Sequence, residues 1–170
     1  ELAAAVQGCS AVVHCAGVVD TRSGPLHDAR IHHSHVDGTA AVIEACKHAG
    51  VESLVYISSA SAAADGVFAW GDDERAVRGS GTACAYGLAK REAERLVVGA
   101  HGSSLSTVCV RPQMIIGPGD PLVTEDLLSA PFPPPIIGRG TNTHTPTYVK
   151  NLAGLLALLP SRLRDERDHV

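Results

Sequence analysis

The chain has 170 residues, 45% of them hydrophobic and 19% charged, with a formal net charge of −4. That is enough apolar material for one domain with a buried core. The mildly acidic balance, without a long basic run, excludes the electrostatic footprint of a nucleic-acid binder, and no apolar run approaches the ~20 residues of a membrane span.

Glu1 to Val6 has helical character and leads into a strand over Ala11-Val12-Val13-His14-Cys15, which ends at a tight Ala16-Gly17 turn. Asp20 to Ile31 reads as a polar loop. Ser34 to Ala49 is a helix closed by Gly50 at C′, with Ser34 and Asp37 as a loose capping box near its start. Leu54-Val55-Tyr56-Ile57 is a second strand ending at Ser58-Ser59, and Ala60 to Thr82 is a loop rich in Ala, Gly and Asp. Ala85 to Val98 is the clearest helix: Ala85, Leu88, Ala89, Ala93, Leu96 and Val97 form the inward stripe, with Arg91, Glu94 and Arg95 outward. Leu105 to Val110 is a third strand stopped by Arg111-Pro112. Gly117-Pro118-Gly119-Asp120-Pro121 is a turn, Pro131-Phe132-Pro133-Pro134-Pro135 a stiff connection, and Tyr148 to Leu159 a last helix ended by Pro160.

Short apolar strands alternating with helices predict an α/β fold with a parallel sheet covered on both faces. Ligands of such sheets collect at the carboxyl ends of the strands, and Gly17, Ser59 and Pro112 all fall just past such ends. Tyr86-Gly87-Leu88-Ala89-Lys90 puts a phenol and an ammonium four residues apart, on one helix face. A cation beside a phenol favours the phenolate, which makes an otherwise poor base useful near neutral pH. The pair points to proton transfer on an alcohol or carbonyl, with Ser58-Ser59 upstream.

Several segments, taken in order, resemble the extended short-chain dehydrogenase/reductases, and within them the 3β-hydroxysteroid dehydrogenase/isomerase group. They are Gly8 to Asp20, Val36-Asp37-Gly38-Thr39 with Ile43-Glu44-Ala45-Cys46, Leu54 to Ser59, Tyr86 to Lys90 with Ala93-Glu94, Val110-Arg111-Pro112 with Ile115 to Asp120, and Tyr148 to Ala153. The resemblance implies a partial Rossmann-type, doubly wound parallel sheet over residues 1–170, with 121–147 leading into a substrate lobe. It implies NAD or NADP as cofactor and a steroid-like alcohol or ketone as small-molecule substrate. By position, Tyr86 is the general base, Lys90 lowers its pKa and reaches the nicotinamide ribose, and Ser59 holds the substrate oxygen. Ala16, Gly17, Pro112 and Ile115 lie against the cofactor, together with Tyr86 and Lys90. A homodimer is compatible with the resemblance. A nucleotide-sugar epimerase or flavonol-type reductase remains an alternative within the superfamily, and an inactive fragment or binding module an alternative outside it.

Two departures stand out. The Gly-rich dinucleotide loop is absent, since neither Gly79-Ser80-Gly81 nor Gly138-Arg139-Gly140 completes G-x-G-x-x-G. The acidic residue that would read the adenosine ribose is missing with it, so NAD and NADP are not distinguished. The family's asparagine before Val-x-Gly-Thr is His35 here. The associated double-bond isomerisation is not tied to any residue of this chain.

Plainer readings accompany these. His27, His32, His33 and His35 lack thiolate or carboxylate partners at a metal-site spacing and are expected on a solvated loop, with no metal. His14, at a strand end, is expected to pack or to sit beside the cofactor. Ser59, or equally Ser58, could cap the turn that follows. Cys15 and Cys109 are expected as small core residues. Five cysteines without a C-x-x-C pair fit reduced thiols and an intracellular setting, cytoplasmic or membrane-associated. The start at Glu1 and the charged end from Arg162 to Val170 suit a piece of a longer chain, poorly soluble or partner-dependent because an uncovered sheet edge is left.

Overall fold

A computed structural model describes residues 1–19, 24–63, 84–120, 129, 139–141 and 145–167. Helix α1 (Leu2–Val6) leads to strand β1 (Ala11–His14). Helix α2 (Pro25–His32), a π-helical turn (His33–Asp37) and helix α3 (Gly38–Ala49) follow one another without a break. Strand β2 (Ser53–Ile57) ends in a 3-10 turn (Ala60–Ala62). Helix α4 (Ala85–Gly99) and strand β3 (Ser106–Val110) complete the main sheet. Strands β4 (Ile115–Ile116) and β5 (Thr147–Tyr148) form a second, two-stranded parallel pair, and helix α5 (Val149–Arg167) follows.

The main sheet is parallel throughout, in the order β1-β2-β3. Right-handed crossovers between neighbouring parallel strands place α3 and α4 on one face, where they pack against each other. Alternation along β2 divides the two layers. Leu54 and Tyr56 join Val42, Ile43, Cys46, Ala93 and Val97 in the α3–α4 core, whereas Ser53 donates its hydroxyl to Pro160 O of α5, 3.4 Å away. Helix α5 covers β2 and β3 from that second side. Leu54, Val55 and Tyr56 are completely buried, each such side chain contributing roughly 1.5–3 kcal/mol. This is the Rossmann-like arrangement expected from the strand and helix pattern.

Local readings changed where tertiary contacts outweigh pattern. Part of the expected loop before Ile31 is helix α2, started by Pro25 at its first turn, a position that suits proline. Ser34 and Asp37 do not cap: Ser34 Oγ accepts the Val18 N–H at 3.1 Å, and Asp37 pairs with His33 at 2.9 Å. Gly50 does close α3, at φ 70°. Pro160 does not end the last helix but lies inside it; the missing hydrogen bond costs stability, which the packing of α5 on the sheet offsets. Helix α4 differs most. Leu88 and Leu96 are exposed, while Arg91 and Glu94 are buried. Arg91 Nε donates to Ala62 O at 2.7 Å, and Glu94 receives Arg111 through two bonds of 2.8 and 2.7 Å. The expected stiff Pro131–Pro135 connection, most of 121–147 and Ala64 to Thr82 lie outside the described residues.

The Glu94–Arg111 pair ties α4 to the end of β3, with Glu94 buried and Arg111 24% exposed at its side chain. Glu94→Gln removes the balancing charge. A loss of roughly 2–3 kcal/mol in urea unfolding is expected, below the value for a fully buried pair because Arg111 keeps some water. A change under half that size would show that the pair does not fasten the helix.

Candidate active site

Each strand of the main sheet delivers a segment to the same end. Beyond β2, Ser58 N donates to Val110 O at 2.8 Å and Ala60 N to Pro112 O at 3.0 Å, so the stretches after β2 and β3 run together. Helix α4 is docked on the 3-10 turn at close range. A Cβ on Gly87 would stand 2.7 Å from Ser61 O, so only glycine permits this approach. Arg91 holds the same turn one helical turn further along. Tyr86 is thereby brought to Ser59.

Ser59, Tyr86, Pro112 and Ile115 line one cleft of about 410 Å³, together with Ser58, Met114 and the Gly117–Asp120 turn. The wall is largely apolar and the size suits a small molecule. Ser59 Oγ accepts the Ser61 N–H at 3.2 Å, so it is indeed the cap of its turn. That bond uses a lone pair and leaves the O–H to donate, and the hydroxyl interacts with the phenol of Tyr86. Ser58 Oγ is buried with no hydrogen-bond partner. The sequence offered Ser58 only as an equal candidate for the cap; its place in the cleft wall was not legible. Met114 carries φ 36°, a strained value for a non-glycine residue and typical of binding loops.

Lys90 is not in the cleft wall. It is buried below it, its Nζ donating to Ile57 O at 2.7 Å and standing 4.8 Å from the centroid of Tyr56 and 5.9 Å from that of Tyr86. Burial pulls the amine from 10.5 down to about 8, against the opposing pull of Cys15 and Glu94. The Tyr86 phenol is pushed up by burial, opposed by the Ser59 hydrogen bond. This is the reverse of the direction expected from a neighbouring lysine: within the chain alone, the ammonium spends its bond on a backbone carbonyl rather than on the phenol.

Ala16 and Gly17 lie outside the cleft wall, exposed at the end of β1. Gly17 reaches the site through His35, whose ring occupies the space a Cβ would take, against Cε1. His35 is 1% exposed, correcting the expected solvated histidine loop. His32 and His33 stand on the outer side, near Asp37 and Glu92. His14 is buried and its Nε2 is 3.1 Å from Thr39 Oγ1. Cys15, expected in the core, is exposed beside Ala16, and Cys109 is partly buried; all five thiols are free. Among the described residues no helix is long and apolar enough to cross a membrane.

The whole chain, residues 1–170, matches the family described as 3-beta hydroxysteroid dehydrogenase/isomerase. It is 36% identical over 152 residues to "3beta-hydroxysteroid-dehydrogenase/decarboxylase isoform 1" of Arabidopsis thaliana, covering 86% of this chain and 34% of that protein. It is 33% identical over 157 residues to "Sterol-4-alpha-carboxylate 3-dehydrogenase, decarboxylating" of Bos taurus, covering 89% and 43% respectively. Among solved structures, MoeE5 in complex with UDP-glucuronic acid and NAD superimposes with a TM-score of 0.74 at 30% identity, over 93% of this chain and 54% of that one. The chain thus spans a third to less than half the length of these curated relatives.

Burial, then the charge of Lys90, then His35, lower the His14 pKa from 6.5 to about 4. The folded chain refuses a proton that the unfolded chain takes up, so this stability is present above pH 6.5 and lost as pH falls. His14 alone accounts for about 2 kcal/mol by pH 5, before ordinary carboxylates protonate. The thermal midpoint is expected to drop over that interval and to drop less in His14→Gln; equal slopes in the two proteins would contradict the assignment.

Proposed function

Because the chain belongs to the 3-beta hydroxysteroid dehydrogenase/isomerase family, we propose that it forms the nicotinamide-side half of an NAD(P)-dependent oxidoreductase. Its substrate is a secondary alcohol, the 3β-hydroxyl of a steroid, oxidised to a ketone. The observation that carries the reading is the convergence of Ser59 and Tyr86 in one largely apolar cleft, with the Lys90 amine buried beneath. The described residues suit a dinucleotide: Ala16 and Gly17 leave exposed backbone at the end of β1, Lys90 offers a cation, and Pro112 and Ile115 an apolar wall. Tyr86 and Lys90 would hold the ribose, with Ala16, Gly17, Pro112 and Ile115 against the ring. The Gly-rich loop that would hold the diphosphate is not in this sequence. Segment 121–147 leads towards the substrate lobe in this reading.

The bound cofactor supplies the hydride acceptor. The protein handles the proton. Ser59 donates its O–H to the substrate oxygen and fixes it beside Tyr86, which takes the hydroxyl proton as the carbinol hydrogen leaves with its electron pair. Tyr86 must be ionised for this direction, and burial opposes ionisation. The Lys90 ammonium has to turn from Ile57 O towards the site for its charge to act on the phenol. Oxidation, which releases a proton, is therefore favoured as pH rises towards about 8, above which the Lys90 charge is lost.

The second reading within the superfamily, nucleotide-sugar chemistry, draws on the likeness to MoeE5 bound to UDP-glucuronic acid and NAD. Purified protein given NAD⁺ or NADP⁺ and either sterol 3β-alcohols or UDP-sugars separates them by reduced-nucleotide absorbance. Turnover of sterols is expected, and turnover of sugars alone would reject the steroid assignment. Tyr86→Phe should lower kcat about 10²–10⁴-fold with little effect on dinucleotide binding, whereas Lys90→Met should weaken that binding as well. Full activity in Tyr86→Phe would remove the tyrosine from the mechanism.

A further inference from the structure

The π-helical turn between α2 and α3 has no role in the chemistry described so far. One extra residue in the turn widens the helix, Gly38 N reaching back to His33 O, and such turns are frequent at functional sites. Two neighbouring residues of this turn grip a single residue of the loop after β1. Ser34 Oγ accepts the N–H of Val18 at 3.1 Å, and His35 Nε2 donates to the carbonyl of the same Val18 at 2.8 Å. The His35 ring fills the space beside Gly17. Its edge meets the Tyr86 ring, with centroids 5.2 Å apart and planes at 83°. The remaining nitrogen, Nδ1, is buried without a partner.

We propose that His35 is a positioning residue: locked as the neutral Nε2–H tautomer, its imidazole clamps Gly17 and Val18 and fixes the distance between the post-β1 loop and Tyr86. The proposal rests on the nicotinamide reading of the site, which gives that distance its purpose. The tautomer follows from the carbonyl, which only accepts. The groups facing the ring are His14 on β1 and Tyr86 and Lys90 on α4. Burial lowers the His35 pKa; the Val18 bond opposes this and Lys90 adds to it, keeping the ring neutral. Protonation would add a cation near Lys90 and a donor at Nδ1 with nothing to receive it. An asparagine at position 35 is too short to fill the space beside Gly17.

The test has three parts. In ¹⁵N-histidine NMR of the unaltered protein at neutral pH, His35 is expected as the Nε2–H tautomer; a protonated Nδ1 would overturn the clamp. In thermal unfolding, Gly17→Ala is expected to destabilise the protein strongly, and the same change in a His35→Asn background only slightly. Equal effects in both backgrounds would overturn the packing. In NADH and NADPH fluorescence titrations, His35→Leu should weaken binding about tenfold, with His35→Gln, which restores a donor, recovering most of it. Unchanged affinity in His35→Leu, or no recovery in His35→Gln, would overturn the positioning role. Should the unaltered protein bind neither nucleotide, the nicotinamide reading falls; the tautomer and the stability coupling need no ligand and still decide the clamp.

Discussion

Lys90 holds its ammonium where burial has drawn the pKa from 10.5 to about 8. Its compensation is a hydrogen bond to Ile57 O, 2.7 Å long, and the face of Tyr56, 4.8 Å from ring centre to nitrogen. A buried amine is costly unless it is paired. The pairing exists only because β2 stops at Ile57 and α4 lies close across its end. Remove either condition and the charge has to return to water.

That closeness is built by backbone as much as by side chains. Gly87 lets α4 come within contact of Ser61 O, and Arg91 fixes the next turn through Ala62 O. Glu94 then ties the helix to Arg111, the residue before Pro112. Successive turns of one helix therefore set the serine, the tyrosine, the lysine and the wall of the cleft in register. On the opposite side, the π turn sets the loop after β1 against the same tyrosine. Among the described residues, His14, His35, Ser58, Lys90, Arg91 and Glu94 are all buried.

Much of this was legible in the sequence. Three apolar strands with intervening helices led to the parallel sheet, and the residues past each strand end led to Ser59 and Pro112. The Tyr86/Lys90 spacing placed both on α4. The inward face of α4 was misread because hydrophobicity was taken as the mark of burial, whereas Lys90, Arg91 and Glu94 are buried by pairing with carbonyls and with Arg111. No pattern of apolar residues carries that information. His35 was expected to be solvated for the same reason: its burial depends on Gly17 and Val18, nearly twenty residues away in the chain. The direction of the Tyr86 shift was also out of reach, since it depends on burial that spacing does not report.

The proposed chemistry requires the Lys90 amine to be desolvated and near enough to Tyr86 to answer a bound nicotinamide nucleotide. The most direct measurement is an NMR titration of the Lys90 side chain with ¹³Cε-labelled lysine, with and without NAD⁺. The account predicts a midpoint near 8, well under the ordinary 10.5, and a resonance that moves when NAD⁺ is added. An ordinary midpoint and no response to saturating NAD⁺ would contradict it.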